Sequence, residues 1–461
     1  MKSILPQFVR KLLILVAVIV MAQTSVAFSL LGPSTSWQSG ALGYNLTGDI
    51  GGPMNLGEEY RMVTPVLTYG FDATYLNYFG ANGVLAVQAA MQILNNIPGA
   101  GAMSDSLAEF PLQGVGPVNT TASNLRVLDV KSATLSMMLE QMGLTGAERW
   151  TFTLRDRVVV NNVTNYVVLQ RNFDPVNWQP TNIVNGVLYT YTVNDPILPG
   201  NYAEAQETVV SGNVNNIAVA GAGIAAGSFF TGLTRDDYGA LKYLLRFNNQ
   251  NVETLNNVTL ANTYSPYGPA LGTNALTNVA VATARRPGVD KITFVPIALD
   301  ALLGVGIRQV TNRYVDVFFH PTNFYLTNQT LERVTTIPDV LFAAGDLYGS
   351  FVAPVGSGTL VRSLTSRWVN NSAINTVGGI GGVRFGPGVI PAASSNATAI
   401  VITFDTLGPS GLNIRDATRR FIDERSADRN SVWGYFDSAT IYSVFPDGLT
   451  VQDLERQLYG R

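Results

Sequence analysis

The absence of cysteine limits how this chain of 461 residues can hold a fold together. Without thiols it can form neither a disulfide nor a thiolate zinc site, so core packing or a metal held by other ligands must supply the stability. The sequence has one histidine, His320, in the apolar run DVFFHPTNF. A zinc site with the usual three histidines is therefore excluded, and we interpret His320 as a turn or core residue before Pro321.

Composition narrows the class of protein and of partner. Hydrophobic residues form 46% of the chain, enough for sizeable cores, whereas charged residues form only 13%. The formal net charge is −3 and there is no basic block. We therefore expect no binding to nucleic acid or to an anionic membrane surface. The length favours two domains.

The first 27 residues have the pattern of a secretory signal peptide. Lys2, Arg10 and Lys11 precede the apolar run Leu12–Ala22, which is too short to span a bilayer comfortably. The triplet SVA, ending at Ala27, supplies small residues at −3 and −1, so we predict cleavage after Ala27. The expected location is extracellular, periplasmic or on the cell surface, with no membrane contact after cleavage. An uncleaved anchor is the alternative.

The next part of the chain alternates irregular, strand-like and helical patterns. Residues 28–58 are rich in Gly, Ser and Asn and predict an irregular lead-in. MVTPVLTYGF, residues 62–71, predicts a strand. From Tyr75 to Asn96, apolar residues recur at steps of three and four, which predicts a helix that ends before Pro98-Gly99. A second helix is predicted from Leu128 to Leu144, ended by Gly143.

A β-rich segment at about 150–230 separates the second helix from a third. Its strand-like runs are WTFTLRDRVVV, NYVVLQRNF and NGVLYTYTV. The third helix is predicted in LTRDDYGALKYLL, where Thr234 and Asp237 have the spacing of a capping box. Asp236 and Asp237 are therefore interpreted as helix-start residues rather than catalytic carboxylates.

From residue 250 to residue 461 we predict a β-rich C-terminal domain. Short strand-like runs alternate with turns in KITFVPIAL, RYVDVFFH, GTLVRSLTSRWV and AIVITFD. Helical patterns occur at 413–424 and from Thr450, with Asp453 as its capping-box partner, to Tyr459.

Three segments follow one another in an order known from zinc peptidases. They are VLTYGFDATYLNYFGANGVLAVQAAMQILNNIPG, VLDVKSATLSMMLEQMGL and LTRDDYGALKYLL. This order resembles the catalytic domain of matrixin-like metalloproteases, which are metzincins. The resemblance covers roughly residues 60–247 and implies an α+β N-terminal domain, residues 59–249, with three helices and a twisted sheet. The β-rich segment is then an insert.

The residues that would perform the chemistry of that family are changed in this chain. In metzincins the second helix carries H-E-x-x-H-x-x-G-x-x-H. Ser136 stands at the first histidine, Met137 at the catalytic glutamate, Glu140 at the second histidine and Gly146 at the third. No methionine follows Met142, so the Met-turn is missing as well.

The resemblance thus implies a degenerate domain without zinc or any other cofactor. Glu140 alone would hold zinc weakly, and a thioether cannot act as a general base. We expect the methionines to fill the former metal cavity with apolar side chains, and Glu140 to face solvent or to pair with a cation. The alternative is that Val127–Leu144 is an ordinary core helix of an unrelated α+β domain.

The expected function is non-catalytic, namely binding of an extracellular protein or glycan or a structural role at the cell surface. One alternative is a secreted hydrolase, a peptidase or a carboxylate-based glycosidase, that uses unrecognised residues. Another is a self-assembling surface layer or filament. The glycine-rich run VAGAGIAAG, residues 219–227, lacks the spacing of a dinucleotide loop and is interpreted as a flexible or packing segment.

Overall fold

The computed structural model describes a large part of the chain. The described residues are 27–44, 53–113, 115–195, 203–249, 251–254, 283–299, 307, 310–319, 326–335, 338–344, 375–376, 383–384, 400–404 and 432–460, with short gaps inside several ranges. His320, the segment preceding Ala27, the strand-like run at 358–369 and the expected helix at 413–424 lie outside them.

The described residues form a mixed α+β structure with several small sheets. The helices are α1 (Ala73–Asn95), α2 (Thr120–Asn124), α3 (Val130–Gln141), α4 (Arg235–Leu245) and α5 (Val451–Tyr459). The strands of the first half are β1 (Ser29–Leu30), β2 (Val66–Phe71), β3 (Val115–Val118), β4 (Val127–Asp129), β5 (Leu144–Thr145), β6 (Thr153–Val160), β7 (Val163–Leu169), β8 (Ile183–Val184), β9 (Val187–Asn194), β10 (Glu204–Ser211) and β11 (Ser228–Phe230). The strands of the second half are β12 (Asn251–Thr254), β13 (Thr283–Arg286), β14 (Thr293–Pro296), β15 (Val310–Phe319), β16 (Leu326–Thr335), β17 (Val340–Ala343), β18 (Asn375–Thr376), β19 (Val383–Arg384), β20 (Ile400–Thr403), β21 (Val432–Asp437) and β22 (Thr440–Val444).

The main sheet is parallel and has the strand order β14-β2-β17-β20. Its strand β2 is buried along its middle, as is usual for strands covered on both faces. A reciprocal pair of hydrogen bonds joins β2 to the residue that precedes β17. Asp339 Oδ2 accepts from the Thr68 N–H at 2.8 Å, and the Asp339 N–H donates to Thr68 Oγ1 at 3.1 Å. Both residues are buried.

Strand pairing crosses the boundary that we predicted between residues 249 and 250. Strand β2 lies in the first predicted domain, whereas its neighbours β14 and β17 lie in the second. Similarly β21, near the C-terminus, pairs in parallel with β4. Residues 59–249 therefore do not complete these sheets by themselves.

Helices α1, α4 and α5 agree with the sequence-based expectations. Helix α1 begins after Asp72, whose carboxylate accepts from the Tyr75 N–H, and ends before Pro98. Helices α4 and α5 both begin with a capping box, Thr234 with Asp237 and Thr450 with Asp453. The helix and its cap were confirmed in both cases.

Helix α3 is shorter than predicted and is buried on every side. Asp129 caps it by accepting from the Ser132 N–H at 2.9 Å. The chain leaves the helix at Gly143, whose φ of +106° only glycine adopts without strain. All residues from Val130 to Gln141 are buried, and α3 packs against α1. The helix therefore runs through the main core instead of lying on its surface.

The segment at about 150–230 has the predicted strands and forms two projecting ribbons. The first ribbon is the hairpin of β6 and β7, and the second ribbon is the pair of β9 and β10, with the short β8 beside β9. Their bases share a small core that includes Phe152, Leu154 and Tyr189. The first ribbon is exposed beyond its base, whereas the second is buried at Val187 and Tyr189 and at Glu204 and Ala205, and is partly or fully exposed along the rest of its strands.

Replacing the cap of α3 should change how stability depends on pH. Burial raises the pKa of Asp129 to about 6, above its ordinary value, so the folded protein holds this proton more tightly than the unfolded chain. Its contribution is present in acid and is lost as the pH rises through the window of about 4 to 6. The wild-type free energy of unfolding should therefore fall by on the order of 3 kcal/mol over this window. In the Asp129→Asn variant this fall should be absent, while the asparagine side chain still accepts from the Ser132 N–H.

The measurement is the free energy of unfolding by denaturant between pH 4 and pH 7. Asp453→Asn, at the exposed start of α5, is the matched control and should leave the pH dependence close to that of the wild type. An Asp129→Asn variant that keeps the wild-type slope would contradict the assignment of the proton to Asp129.

Candidate functional site

The positions predicted as a vestigial metal site lie inside the protein. Ser136, Met137 and Glu140 are on α3, and their exposed fractions are 0%, 1% and 0%. Ser136 and Glu140 are one turn apart and share a face of the helix. Of the two expectations for Glu140, exposure to solvent is wrong, because α3 runs through the core and has no solvent-facing side, whereas pairing with a cation stays a prediction.

The fourth position, Gly146, lies in the turn after β5. It is buried, and a Cβ atom there would lie 3.5 Å from the Gly221 carbonyl oxygen. A Cβ on Gly221, which has a φ of +64°, would lie 2.4 Å from the Gly146 nitrogen. Two backbone segments therefore meet where the resemblance places a third zinc ligand. Gly221 in VAGAGIAAG serves this close approach, in agreement with the interpretation of that run as a packing segment.

The three methionines near this helix belong to the main hydrophobic core. Met137, Met138 and Met142 are each at most 4% exposed. The polar neighbours on α3 are bonded inside the protein: Thr134 donates to the Val130 carbonyl at 2.8 Å, and the Phe230 N–H donates to Ser132 Oγ at 2.7 Å. A substrate has no access to these side chains without unfolding of the core. Among the described residues, no group of three or more His, Cys, Asp or Glu side chains could hold a metal ion.

A second group of acids lies at the start of α4, where Asp236 and Asp237 are buried and Glu148 is half-buried. Asp236 accepts from the N–H groups of Ala27 at 2.7 Å and Asn185 at 2.8 Å. Asp237 accepts from Val219, Ala220 and Thr234, and Glu148 accepts from Ala218 at 2.5 Å. We call Asp236, Asp237 and Glu148 the acid cluster. Its two aspartates tie the start of α4 to three separate parts of the backbone, at Ala27, at Asn185 and at residues 219–220.

Burial and mutual repulsion raise the pKa values of the acid cluster. Burial raises the pKa of Glu148 to about 8, and the charge of Asp237 adds to this increase. The pKa of Asp236 is raised well above its ordinary value by burial and then by the charges of Asp237 and Glu148. The pKa of Asp237 is also raised by burial, although the bonds from Thr234 and the backbone oppose this.

A small, half-open pocket of about 10 Å³, room for roughly one water molecule, lies beside two of these carboxylates. Its walls include Ala27, Phe28, Thr145, Asp236 and Asp237. Acids with raised pKa values next to a cavity are typical of catalytic sites. Here, however, both oxygens of Asp236 and of Asp237 already accept from the protein's own N–H groups. The acid cluster is therefore arranged to fix the backbone rather than to protonate a substrate.

Sequence reasoning identified only part of this cluster. The capping role of Asp237 follows from its spacing to Thr234, and the structure confirms it. The long-range bonds of Asp236 and the partial burial of Glu148 cannot be read from a local sequence pattern. Glu148 lies in the turn GAERW, where an acidic residue ordinarily faces solvent.

The neighbouring charges are already paired with one another. Arg149 forms an ion pair with Glu204 and lies 3.6 Å from Glu207. Its guanidinium carbon also lies 4.2 Å from the centre of the Trp150 ring. This pairing anchors β10 to the core beneath the ribbons, and it leaves the positive charge of Arg149 committed to those two glutamates.

The most exposed apolar surface of the first half is on the two ribbons. Asp195 joins the ribbons by accepting from Arg157 Nη1 at 2.5 Å and from the Tyr166 hydroxyl at 2.9 Å. Large apolar side chains that are 38–63% exposed cover both ribbons: Val158, Val159, Val160, Val163, Tyr166 and Val167 on the first, and Tyr191, Val209 and Val210 on the second. Such a concentration of exposed apolar side chains is typical of interaction surfaces.

No protein-family model matches the chain, and no curated protein or solved structure matches it either. Among the described helices, none combines the length and the apolar content that crossing a bilayer requires.

Substitution of the aspartate in each capping box should lower the stability by different amounts, because Asp237 is buried and Asp453 is exposed. Asp237→Asn keeps a single acceptor oxygen, so several of the N–H groups of Val219, Ala220 and Thr234 would be left buried without a bond. We expect a loss of about 2–4 kcal/mol in the free energy of unfolding. Asp453→Asn, in the exposed box of α5, should cause a much smaller loss. Equal losses in denaturant titrations would contradict the tying role of Asp237.

Proposed function

We propose that this protein is exported and acts without catalysis, as a binding or structural component outside the cytoplasm. Its first part would be a matrixin-like domain that has lost its zinc site. Support for export comes from the signal-like first 27 residues, and support for the family comes from the order of the three helices. The proposal has two separate parts, the loss of chemistry and the gain of a binding surface.

The complete burial of α3 carries the first part. A metallopeptidase needs ligands and a general base that face an open cleft, with one metal position left for water or substrate. Ser136, Met137 and Glu140 instead lie within the core, with at most 1% exposure. The residue types and their burial agree, since a hydroxyl and a thioether in this environment can neither hold zinc nor activate water.

The apolar ribbons support the second part. Aliphatic side chains outnumber aromatic ones on this surface, whereas glycan binding relies mainly on aromatic faces. A protein partner is therefore favoured over a glycan. The first ribbon is a two-stranded hairpin, and isolated hairpins are only marginally stable in water, so contact with a partner would also stabilise it.

Self-assembly is the second candidate, and the same ribbons favour it. Exposed strands with valines on their surface can pair with strands of another copy of the chain. The hydrolase alternative would have to use carboxylates, and those of the acid cluster are occupied by backbone N–H groups.

The loss of chemistry can be tested by metal analysis and by activity. We expect the purified exported protein to contain well under one zinc per chain after exposure to excess zinc and desalting. We also expect no peptidase activity that a chelator abolishes. Stoichiometric zinc or chelator-sensitive cleavage of a denatured protein substrate would overturn this part of the proposal.

The binding role can be tested with changes at exposed valines, one on each ribbon. Val159→Thr combined with Val210→Thr removes apolar surface but keeps β-branched side chains that suit strands. We expect retention of the protein on the surface of its own cells to fall by roughly tenfold or more, because the exposed valines would lie in the contact. Leu85→Gln, at an equally exposed apolar position on α1, is the matched control.

The outcomes separate the candidates. Retention that is abolished by protease treatment of the cells indicates a protein partner, and retention that is abolished by glycosidases indicates a glycan. Concentration-dependent association in sedimentation velocity that the ribbon variant loses indicates self-assembly. Wild-type retention of the ribbon variant would show that the ribbons are not the binding surface.

A further inference from the structure

Ala27, the expected last residue of the signal peptide, is fully buried beside a carboxylate. Its exposed fraction is 0%, and its N–H lies 2.7 Å from Asp236 Oδ1. The predicted cleavage after Ala27 would remove this residue and its N–H. Phe28 would then be the first residue, and its α-ammonium group would lie next to the position that the Ala27 N–H had occupied.

The position of Phe28 does not depend on the residues that precede it. Its backbone forms a reciprocal pair with Phe173, with N···O distances of 3.0 and 2.9 Å. Its ring centre lies 5.4 Å from that of Tyr243 and 6.2 Å from that of Trp178. The following strand β1 pairs with β5. The nitrogen of Phe28 is therefore held in place from the C-terminal side after cleavage.

The surroundings of this nitrogen are rich in carboxyl groups. The charge of Asp237 raises the pKa of both Asp236 and Glu148, so the three groups lie close together and hold protons that a nearby cation would help to release. In the described part of the chain these three carboxylates form no ion pair, and Arg149 is engaged with Glu204 and Glu207. A cation brought here would gain more than one at the surface, because water screens it less.

We propose that the α-ammonium group of Phe28, created by removal of the signal peptide, docks against the acid cluster and locks the mature fold. The proposal rests on the export that we propose above. One residue advances the chain by about 3.3–3.6 Å, so the ammonium group lies within one residue of the nitrogen that now contacts Asp236. The space left by Ala27 joins the cavity that Phe28, Asp236 and Asp237 line, which gives the ammonium group, or a bridging water, room to reach the carboxylates.

Processing is thereby coupled to stability. Before cleavage a neutral N–H faces Asp236, and the three carboxylates have no compensating charge from the N-terminus. After cleavage a cation stands within one residue of that place, with one of its donors on the Phe173 carbonyl and the others available toward the carboxylates. The precursor is consequently less stable than the mature chain, which suits a protein that has to remain unfolded until it has been exported.

The first test asks whether the new amine is present and inaccessible. Intact mass of the exported protein should show a chain that begins at Phe28. Under native conditions at neutral pH, acetic N-hydroxysuccinimide ester should leave this α-amine unmodified while it acetylates the lysines, and in denaturant the amine should react fully. Rapid native acetylation of the α-amine would overturn the docking, although export would stand.

The second test measures the coupling between the amine and its partner. Insertion of Asn-Thr-Gln between Ala27 and Phe28 moves the new N-terminus away and supplies no second cleavage sequence. We expect the insertion to lower the Tm of the exported chain by about 2–4 °C, and Asp236→Asn to remove most of that effect. Asp453→Asn is the control background, in which the insertion should retain its full effect.

Each remaining result has a definite meaning. Equal effects of the insertion in the Asp236→Asn and wild-type backgrounds would show that Asp236 has only a structural role, and the proposal would be wrong. A chain that retains its first 27 residues, or that starts elsewhere than Phe28, would overturn the proposal together with the predicted cleavage. A chain found only in the cytoplasm would overturn the export on which both rest.

Discussion

The fold depends on the burial of a helix that still carries polar side chains. Helix α3 is surrounded on all sides, so each of its hydroxyl and carboxyl groups requires a bond inside the protein. Asp129 and Ser132 form the hydrogen bonds that reach other elements of the fold. Asp129 caps the helix and faces the Phe436 N–H at 3.4 Å, while Ser132 accepts from the Phe230 N–H. One cap thereby joins α3, the C-terminal hairpin and β11.

This arrangement accounts for the residues at the positions that resemble a metal site. A histidine at the position of Ser136 or Glu140 would bring an imidazole ring with two polar nitrogens into a closed core, and both nitrogens would need partners. Methionine is apolar and flexible, and it adapts to irregular space. Packing therefore explains Met137, Met138 and Met142 whether or not the chain descends from a zinc peptidase.

The parts of the fold that follow from local rules could be predicted from the sequence. The helices that begin at Asp72, Thr234 and Thr450 each have a side-chain cap within three residues, and the strands of the ribbons have the expected β-branched runs. The parallel pairing of β2 with β14 and β17 could not be predicted, because it joins residues more than 200 positions apart.

The candidate site shows the same division. The spacing of Asp237 to Thr234 revealed a cap, but the bonds of Asp236 to Ala27 and Asn185 depend on the tertiary structure alone. The burial of Glu140 also could not be predicted, since a helix with a lysine, a glutamate and a glutamine has the composition of a partly exposed one. Local patterns therefore identified the roles of residues within one helix or strand, but they could not identify hydrogen bonds or burial that depend on contacts between distant elements.

The pairing of Thr68 with Asp339 has a consequence for the order of synthesis. These residues are 271 positions apart, and their hydrogen bonds join β2 to the start of β17 in the main sheet. A ribosome would have to make about three quarters of the chain before β2 could find the neighbour that carries this contact, so the N-terminal half cannot reach its final state early. Strand β2 remains without this neighbour during that interval, so it is a natural target of chaperones that accompany a nascent chain.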